Sequence, residues 1–108
     1  MKENPKRDIV SIDYGTNEDY FAVRIVSDDM KNAHFQAGAI VIVRKQSYAN
    51  NGDIVLILHN GKLCFRYYVV NGNDLYLTAA NNAILPVAVK ATDEFLILGK
   101  ASEIRFEI

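Results

Sequence analysis

Residues 49–70 read ANNGDIVLILHNGKLCFRYYVV. Two apolar runs, rich in Val, Ile, Leu and aromatic residues, flank the dipeptide Asn60-Gly61. Asn-Gly between such runs is the strongest short signal for a two-residue β-hairpin, because both central residues of a type I′ turn need positive φ. Asn51-Gly52 marks a turn before the first run, and Asn71-Gly72 marks one after the second. The segment therefore reads as strand, tight turn, strand, tight turn.

The pattern continues on both sides. YFAVRIV (20–26) alternates in part, AGAIVIVRK (37–45) reads as a buried strand, and DLYLTA (74–79) follows the last turn. After an irregular ANNAILP, the runs VAVKA, FLILGKA and EIRFEI read as three further strands. Between the first two strands lies DDMKNAHF (28–35), with Asp28 or Asp29 placed to cap a single helical turn. Short strands at regular spacing with almost no helical periodicity predict a mainly β barrel or folded sheet. Residues 1–19 are polar apart from Ile9–Ile12 and are expected to form an arm that adds one edge strand, leaving 20–108 as the domain.

Composition narrows the function classes. A chain of 108 residues supports one core. Twelve basic against thirteen acidic residues give a net charge of −1, which argues against the chain itself gripping a phosphate backbone. The apolar runs are too short to span a bilayer, and the N-terminal segment has no apolar core of the secretory type. The lone Cys64 cannot form an internal disulfide, so a reducing cytoplasm is the expected location. Cys64 has no His beside it in sequence to generate a thiolate and reads as an inert strand cysteine. His34 and His59 lack a second ligand at metal spacing, so neither a metal nor another cofactor is expected.

In order, VSDDMKNAHFQAGAIVIVRK, ANNGDIVLILHNGKLCFRYYVV, LYLTAANNAILPVAV and ILGKASEIRF resemble segments of one family, the C-terminal domain of LexA-type and phage repressors, which includes the UmuD-like mutagenesis proteins. The resemblance covers about Tyr20 to Arg105. It implies a LexA-like mainly β domain, a small folded or pseudo-barrel sheet with one short helical turn. It also implies self-cleavage by a Ser-Lys dyad, in which a buried neutral lysine takes the proton of a serine that attacks an upstream peptide bond.

Carried onto this chain, the serine position just before Met30 holds Asp29, and the lysine position in the strand after the hairpin holds Arg66, 37 residues later. An arginine stays protonated and cannot be a general base, and an aspartate would form a labile anhydride as an acyl-transfer nucleophile. The resemblance thus leads to a peptidase-like domain that is not an enzyme. Two placements stay open: Asp29 paired with Arg66 as an ion pair, or Asp29 capping its turn while Arg66 faces solvent. Ser27, two residues from the serine position, would be displaced by about 6–7 Å along a strand and still face no base. The family's cut falls at an Ala-Gly or similar bond well upstream of its serine. No Ala-Gly occurs in residues 1–28, and Ala37-Gly38 leads into a predicted core strand. No recognisable target is therefore expected in this chain.

The family's other implied role is self-association. In FLILGKASEIRFEI, alternation puts Ile104, Phe106 and Ile108 on one face and Glu103, Arg105 and Glu107 on the other. Ile104, Arg105, Phe106 and Ile108 are the dimer-interface candidates, with Arg105 and Glu103 pairing between chains. Packing of that face on its own core is equally open. The implied function is an inactive repressor domain acting in dimerisation and regulation within an SOS-type response. DNA would be reached only through a helix-turn-helix lying outside this chain, and release would be triggered by an antirepressor protein or a small ligand in the cleft. Two alternatives are a UmuD-like processed subunit that binds an error-prone polymerase, and an active self-cleaving peptidase using Ser27 or Cys64.

Overall fold

A computed structural model describes residues 9–10 and 19–106. They form one eight-stranded sheet in which every recorded pairing is antiparallel. The strands are β1 (Ile9–Val10), β2 (Tyr20–Arg24), β3 (Ile40–Lys45), β4 (Ile54–His59), β5 (Lys62–Asn71), β6 (Asp74–Thr78), β7 (Val87–Ala88) and β8 (Phe95–Arg105). A single 3₁₀ turn, Lys31–Ala33, lies between β2 and β3.

Turn chemistry sets the local registers. At the β4–β5 hairpin, Asn60 and Gly61 have φ of 50° and 82°, as a type I′ turn requires. At the β5–β6 hairpin, Gly72 takes φ 63° between the paired residues Asn71 and Asp74, which is the first central position of a II′-type turn. The hairpins β2–β3 and β4–β5–β6 are each built from sequence neighbours.

The last strand joins them. The sheet order is β1-β2-β3-β8-β4-β5-β6-β7, so β8 inserts between β3 and β4. FLILGKA and EIRFEI, expected as two strands, are one strand of 11 residues through Arg105. Its first half pairs with β4 and its second half with β3, while Gly99 and Lys100 pair with both. The register shifts between Ile97 and Gly99 against β4, and between Ala101 and Glu103 against β3, leaving Leu98 and Ser102 as bulged residues. Such bulges bend the strand and raise its twist, folding the sheet on itself. Gly99 is required at the crossing, because a Cβ there would collide with the Arg44 carbonyl oxygen and Val43 Cγ1.

Folding the sheet buries apolar residues on both faces, which explains the continuous run Ile40–Val43, buried at all four positions. The main core gathers Val23, Met30, Phe35, Val41, Leu56 and Phe65, with Phe35 edge-on to Phe65 at a centroid distance of 5.3 Å. A second cluster, Val55, Ile57 and Leu77, lies under β4–β6. Ile9–Val10 pairs with β2 as an edge strand, opposite Val23 and Ala22. VAVKA contributes only Val87–Ala88.

The expected aspartate cap is not what starts the helical turn. Met30 occupies the cap position with no side-chain cap hydrogen bond, and the turn is held by main-chain bonds from Lys31 N–H to the Asp28 carbonyl and from Ala33 N–H to the Met30 carbonyl. A turn of three residues exposes few N–H groups for a cap to satisfy, and the Asp29 carboxylate is engaged elsewhere.

Candidate functional site

Beyond Arg24 the chain leaves the sheet but stays tied to the start of β3, with Ile25 N–H donating to the Ala39 carbonyl at 2.9 Å and Gly38 N–H to the Ile25 carbonyl at 2.8 Å. The next residues turn back at Asp28–Met30. Met30 is buried and anchors this turn in the main core.

The loop after β6 clamps the turn from the other side. Asn81 is 7 % exposed; its Nδ2 donates to the Asp28 carbonyl at 3.0 Å and its Oδ1 accepts from Ala83 N–H at 2.9 Å. Asn32 N–H donates to the Ala80 carbonyl at 2.8 Å, and Ala80 N–H meets Met30 Sδ at 3.1 Å. These contacts fix the backbone on both sides of Asp29. Asn81 escaped the sequence reading, which treated ANNAILP as irregular. The available signal was its place as the asparagine in the resemblance of that segment.

The arrangement presents Asp29 to β5. Its Oδ2 accepts a hydrogen bond from Arg66 Nη1 at 3.2 Å, and the same nitrogen donates to the Phe65 carbonyl at 2.7 Å. The side chains of Arg66 and Asp29 are 9 % and 23 % exposed. Of the two placements left open, the structure shows the pair, and Arg66 is buried rather than solvent-facing. The bridge is made through one nitrogen and one oxygen, and that nitrogen is shared with the Phe65 carbonyl.

Asp29 lies in the wall of a cleft of about 300 Å³ that runs between the end of β2 and the first half of β5. Ser27 and Cys64 share that cleft. Burial pushes the Cys64 thiol up from its ordinary value, against the weaker opposing effects of Arg66 and Lys62, so the nucleophilic thiolate is disfavoured. Ser27 is exposed and makes no hydrogen bond among the described residues. A protonated guanidinium can orient and neutralise a carboxylate, but it cannot withdraw a proton from a hydroxyl.

The histidines serve elsewhere. His59 Nε2 lies 2.9 Å from Asp93 Oδ2. Asp93 also accepts from Lys90 N–H at 2.8 Å, and these two bonds, the main-chain one first, lower its pKa to about 2. With Asn60 and Glu94 exchanging further bonds, this contact pins the β4–β5 turn to the loop before β8. His34 is exposed at φ 68°, after the 3₁₀ turn.

The dimer candidates divide. Ile104 pairs with Val41 and packs on the main core, whereas Phe106 is 55 % exposed. Arg105 Nε meets Glu103 Oε2 at 3.1 Å within the strand, the pair that was expected to form between chains. Ile108 lies outside the described residues, as does Glu107.

The family description "Peptidase S24-like" matches residues 3–102, nearly the whole chain. The chain belongs to the Peptidase S24-like family. It is 36 % identical over 86 residues to the LexA repressor of Petrotoga mobilis, covering 78 % of this chain and 42 % of that protein. To the LexA repressor of Ruminiclostridium cellulolyticum it is 36 % identical over 89 residues, 82 % of this chain and 40 % of that one. To the LexA repressor of Thermotoga petrophila it is 32 % identical over 82 residues, 76 % and 41 % of the respective chains. The chain thus spans about two-fifths of the length of these curated relatives. The mainly β folded sheet with one helical turn agrees with a LexA-like C-terminal domain. Among the described residues, no helix is long and apolar enough to cross a membrane.

Proposed function

We propose that this Peptidase S24-like domain is a catalytically inert assembly and regulatory module of a LexA-like transcriptional repressor. The observation that supports this most is the 3.2 Å contact between Asp29 and Arg66. On the resemblance, these residues stand at the serine and lysine positions of the peptidase dyad. A carboxylate with a permanently protonated partner supplies neither an acyl-transfer nucleophile of useful stability nor a general base. What the domain retains is the role of holding copies of a repressor together, so that reading heads supplied outside this sheet engage two half-sites jointly. The exposed Phe106 beside Arg105 at the end of β8 is the proposed centre of the dimer contact. Release from DNA then depends on an antirepressor protein or small ligand, not on self-cleavage.

A fluorophosphonate, which labels activated serines, tests the loss of catalysis. The chain as it stands should remain unlabelled and of unchanged mass after prolonged incubation at raised pH. Asp29→Ser combined with Arg66→Lys should label increasingly as pH rises, showing that the probe reaches the site. Labelling or fragmentation of the unaltered chain that is lost with Ser27→Ala or Cys64→Ala would overturn the reading. Light scattering across a dilution series tests assembly: a dimer that Phe106→Ala weakens is expected, and a monomer at every concentration refutes it.

A further inference from the structure

Arg44 on β3 and Lys100 on β8 are directly opposite one another in the sheet register. Their side chains therefore leave the same face with Cβ atoms about 5 Å apart, and like charges so placed repel. Both border a recess of about 340 Å³ between this strand pair and the β3–β4 connection. The wall is largely polar, including Gln46, Tyr48, Asn50, Asp53 and Ser102.

The one carboxylate in the recess among the described residues is committed to Lys100. Asp53 Oδ1 lies 3.3 Å from Lys100 Nζ, and Asp53 Oδ2 accepts the Asn50 N–H at 2.9 Å, which fixes the carboxylate in place. Among the described residues, the Arg44 side chain has neither an ion-pair nor a hydrogen-bond partner. The recess thus carries a local positive surplus in a chain whose net charge is −1. Ser102, the bulged residue of β8, stands beside it with an exposed side chain. Tyr48 is 64 % exposed at the rim, its carbonyl oxygen held by Gln46 Nε2 at 2.9 Å.

We propose that this recess binds a single phosphate monoester group, with Arg44 and Lys100 as its principal contacts. A planar guanidinium donates two parallel hydrogen bonds to phosphate oxygens, an ammonium adds a point charge, and a nearby hydroxyl supplies a further donor. The phosphate removes the repulsion between the opposed cations. Tyr48 offers a ring against which a base or other planar group on the same ligand stacks. The fixed Asp53 carboxylate favours one compact anion over a continuous polyanion such as duplex DNA. The site is separate from the Asp29–Arg66 cleft and does not depend on the repressor reading.

The test is an amide chemical-shift titration of the chain at low ionic strength with inorganic phosphate, adenosine monophosphate and a short DNA duplex. Saturable shifts confined to residues 44–53 and 99–102 are expected with both phosphates. Arg44→Gln and Lys100→Gln should each weaken binding about tenfold. Asp53→Asn, which removes the competing charge but keeps an acceptor for Asn50, should strengthen it. Tyr48→Ala should weaken the nucleotide and leave inorganic phosphate unchanged. The proposal fails if neither phosphate gives saturable shifts at about 10 mM, a very weak affinity. It also fails if Arg44→Gln binds as the parent does, or if the duplex binds through these residues more tightly than the nucleotide.

Discussion

Replacing Asp29 and Arg66 singly and together measures whether the two side chains form one energetic unit. At 3.2 Å, two unit charges attract by about 5 kcal/mol with an effective dielectric constant of about 20. Desolvation offsets much of this, and breaking a fully buried pair from one side typically costs about 3–5 kcal/mol. Here the contact is single and the carboxylate 23 % exposed, so water reaches it through the cleft. Asp29→Ala strands a guanidinium that is 9 % exposed and that, among the described residues, keeps only the Phe65 carbonyl as partner. That change should cost about 2 kcal/mol. Arg66→Met leaves a carboxylate that can still be hydrated and should cost less, about 1 kcal/mol. The double replacement leaves no unpaired charge and should cost about 1–2 kcal/mol less than the sum of the single effects. Urea unfolding of the four proteins yields this coupling directly, provided their m-values agree. A coupling within about 0.3 kcal/mol of zero would mean independent side chains and would refute the ion-pair account.

Gly99→Ala places a methyl group against the Arg44 carbonyl and Val43, so β8 must separate from β3; a loss of about 3 kcal/mol is expected, read as a fall in Tm. Asn81→Ala removes the bonds to the Asp28 carbonyl and from Ala83 N–H, and losing both should cost about 1–2 kcal/mol in urea unfolding. Asp93 has its carboxyl held at about 2 in the folded chain, below the ordinary value of 3.8, so its contribution is complete above the unfolded pKa and disappears as pH falls through the folded one. Stability should therefore decline from about pH 4 towards pH 2, and Asp93→Asn should flatten that part of the profile.

The strands were legible because their determinants are local. Asn60-Gly61 specifies its turn by backbone conformation alone, and the Val, Ile and aromatic runs beside it have few other uses. The course of β8 was not legible. FLILGKA and EIRFEI read as two strands separated at Ser102, whereas the chain runs on as one strand, needs no side chain at 99 where it passes β3, and absorbs the bend at Leu98 and Ser102. Nothing local distinguishes a glycine that ends a strand from one that lets two strands approach. The site was half legible for the same reason. Asp29 and Arg66 were found by aligning ordered segments, but Asn81 acts through a main-chain carbonyl 53 residues away, which no spacing rule reports. The partition of Ile104 and Phe106 depends on where β8 stops: pairing with β3 ends at Arg105, so Phe106 lies beyond the sheet, which simple alternation does not report.

The bonds that orient Asp29 come mostly from main chain and from Asn81: Ile25 to Ala39, Lys31 to Asp28, Asn32 to Ala80. None involves the carboxylate itself, so the frame does not require a particular side chain at position 29. That independence explains how a peptidase scaffold can keep its geometry while its chemistry is removed, on the proposed reading of the site. On that same reading, Asp29 and Arg66 also guard one another. Asp29→Ser alone leaves Arg66 buried without its carboxylate and still unable to act as a base, so stability falls and no activity appears. Arg66→Lys alone keeps a cation opposite the carboxylate, which holds the lysine protonated and presents no hydroxyl to activate. Each single step back is inert, and the one that uncovers the guanidinium is costly as well. On the proposed reading, a charge pair in this cleft therefore holds the domain in a non-catalytic state more firmly than the loss of either group alone would.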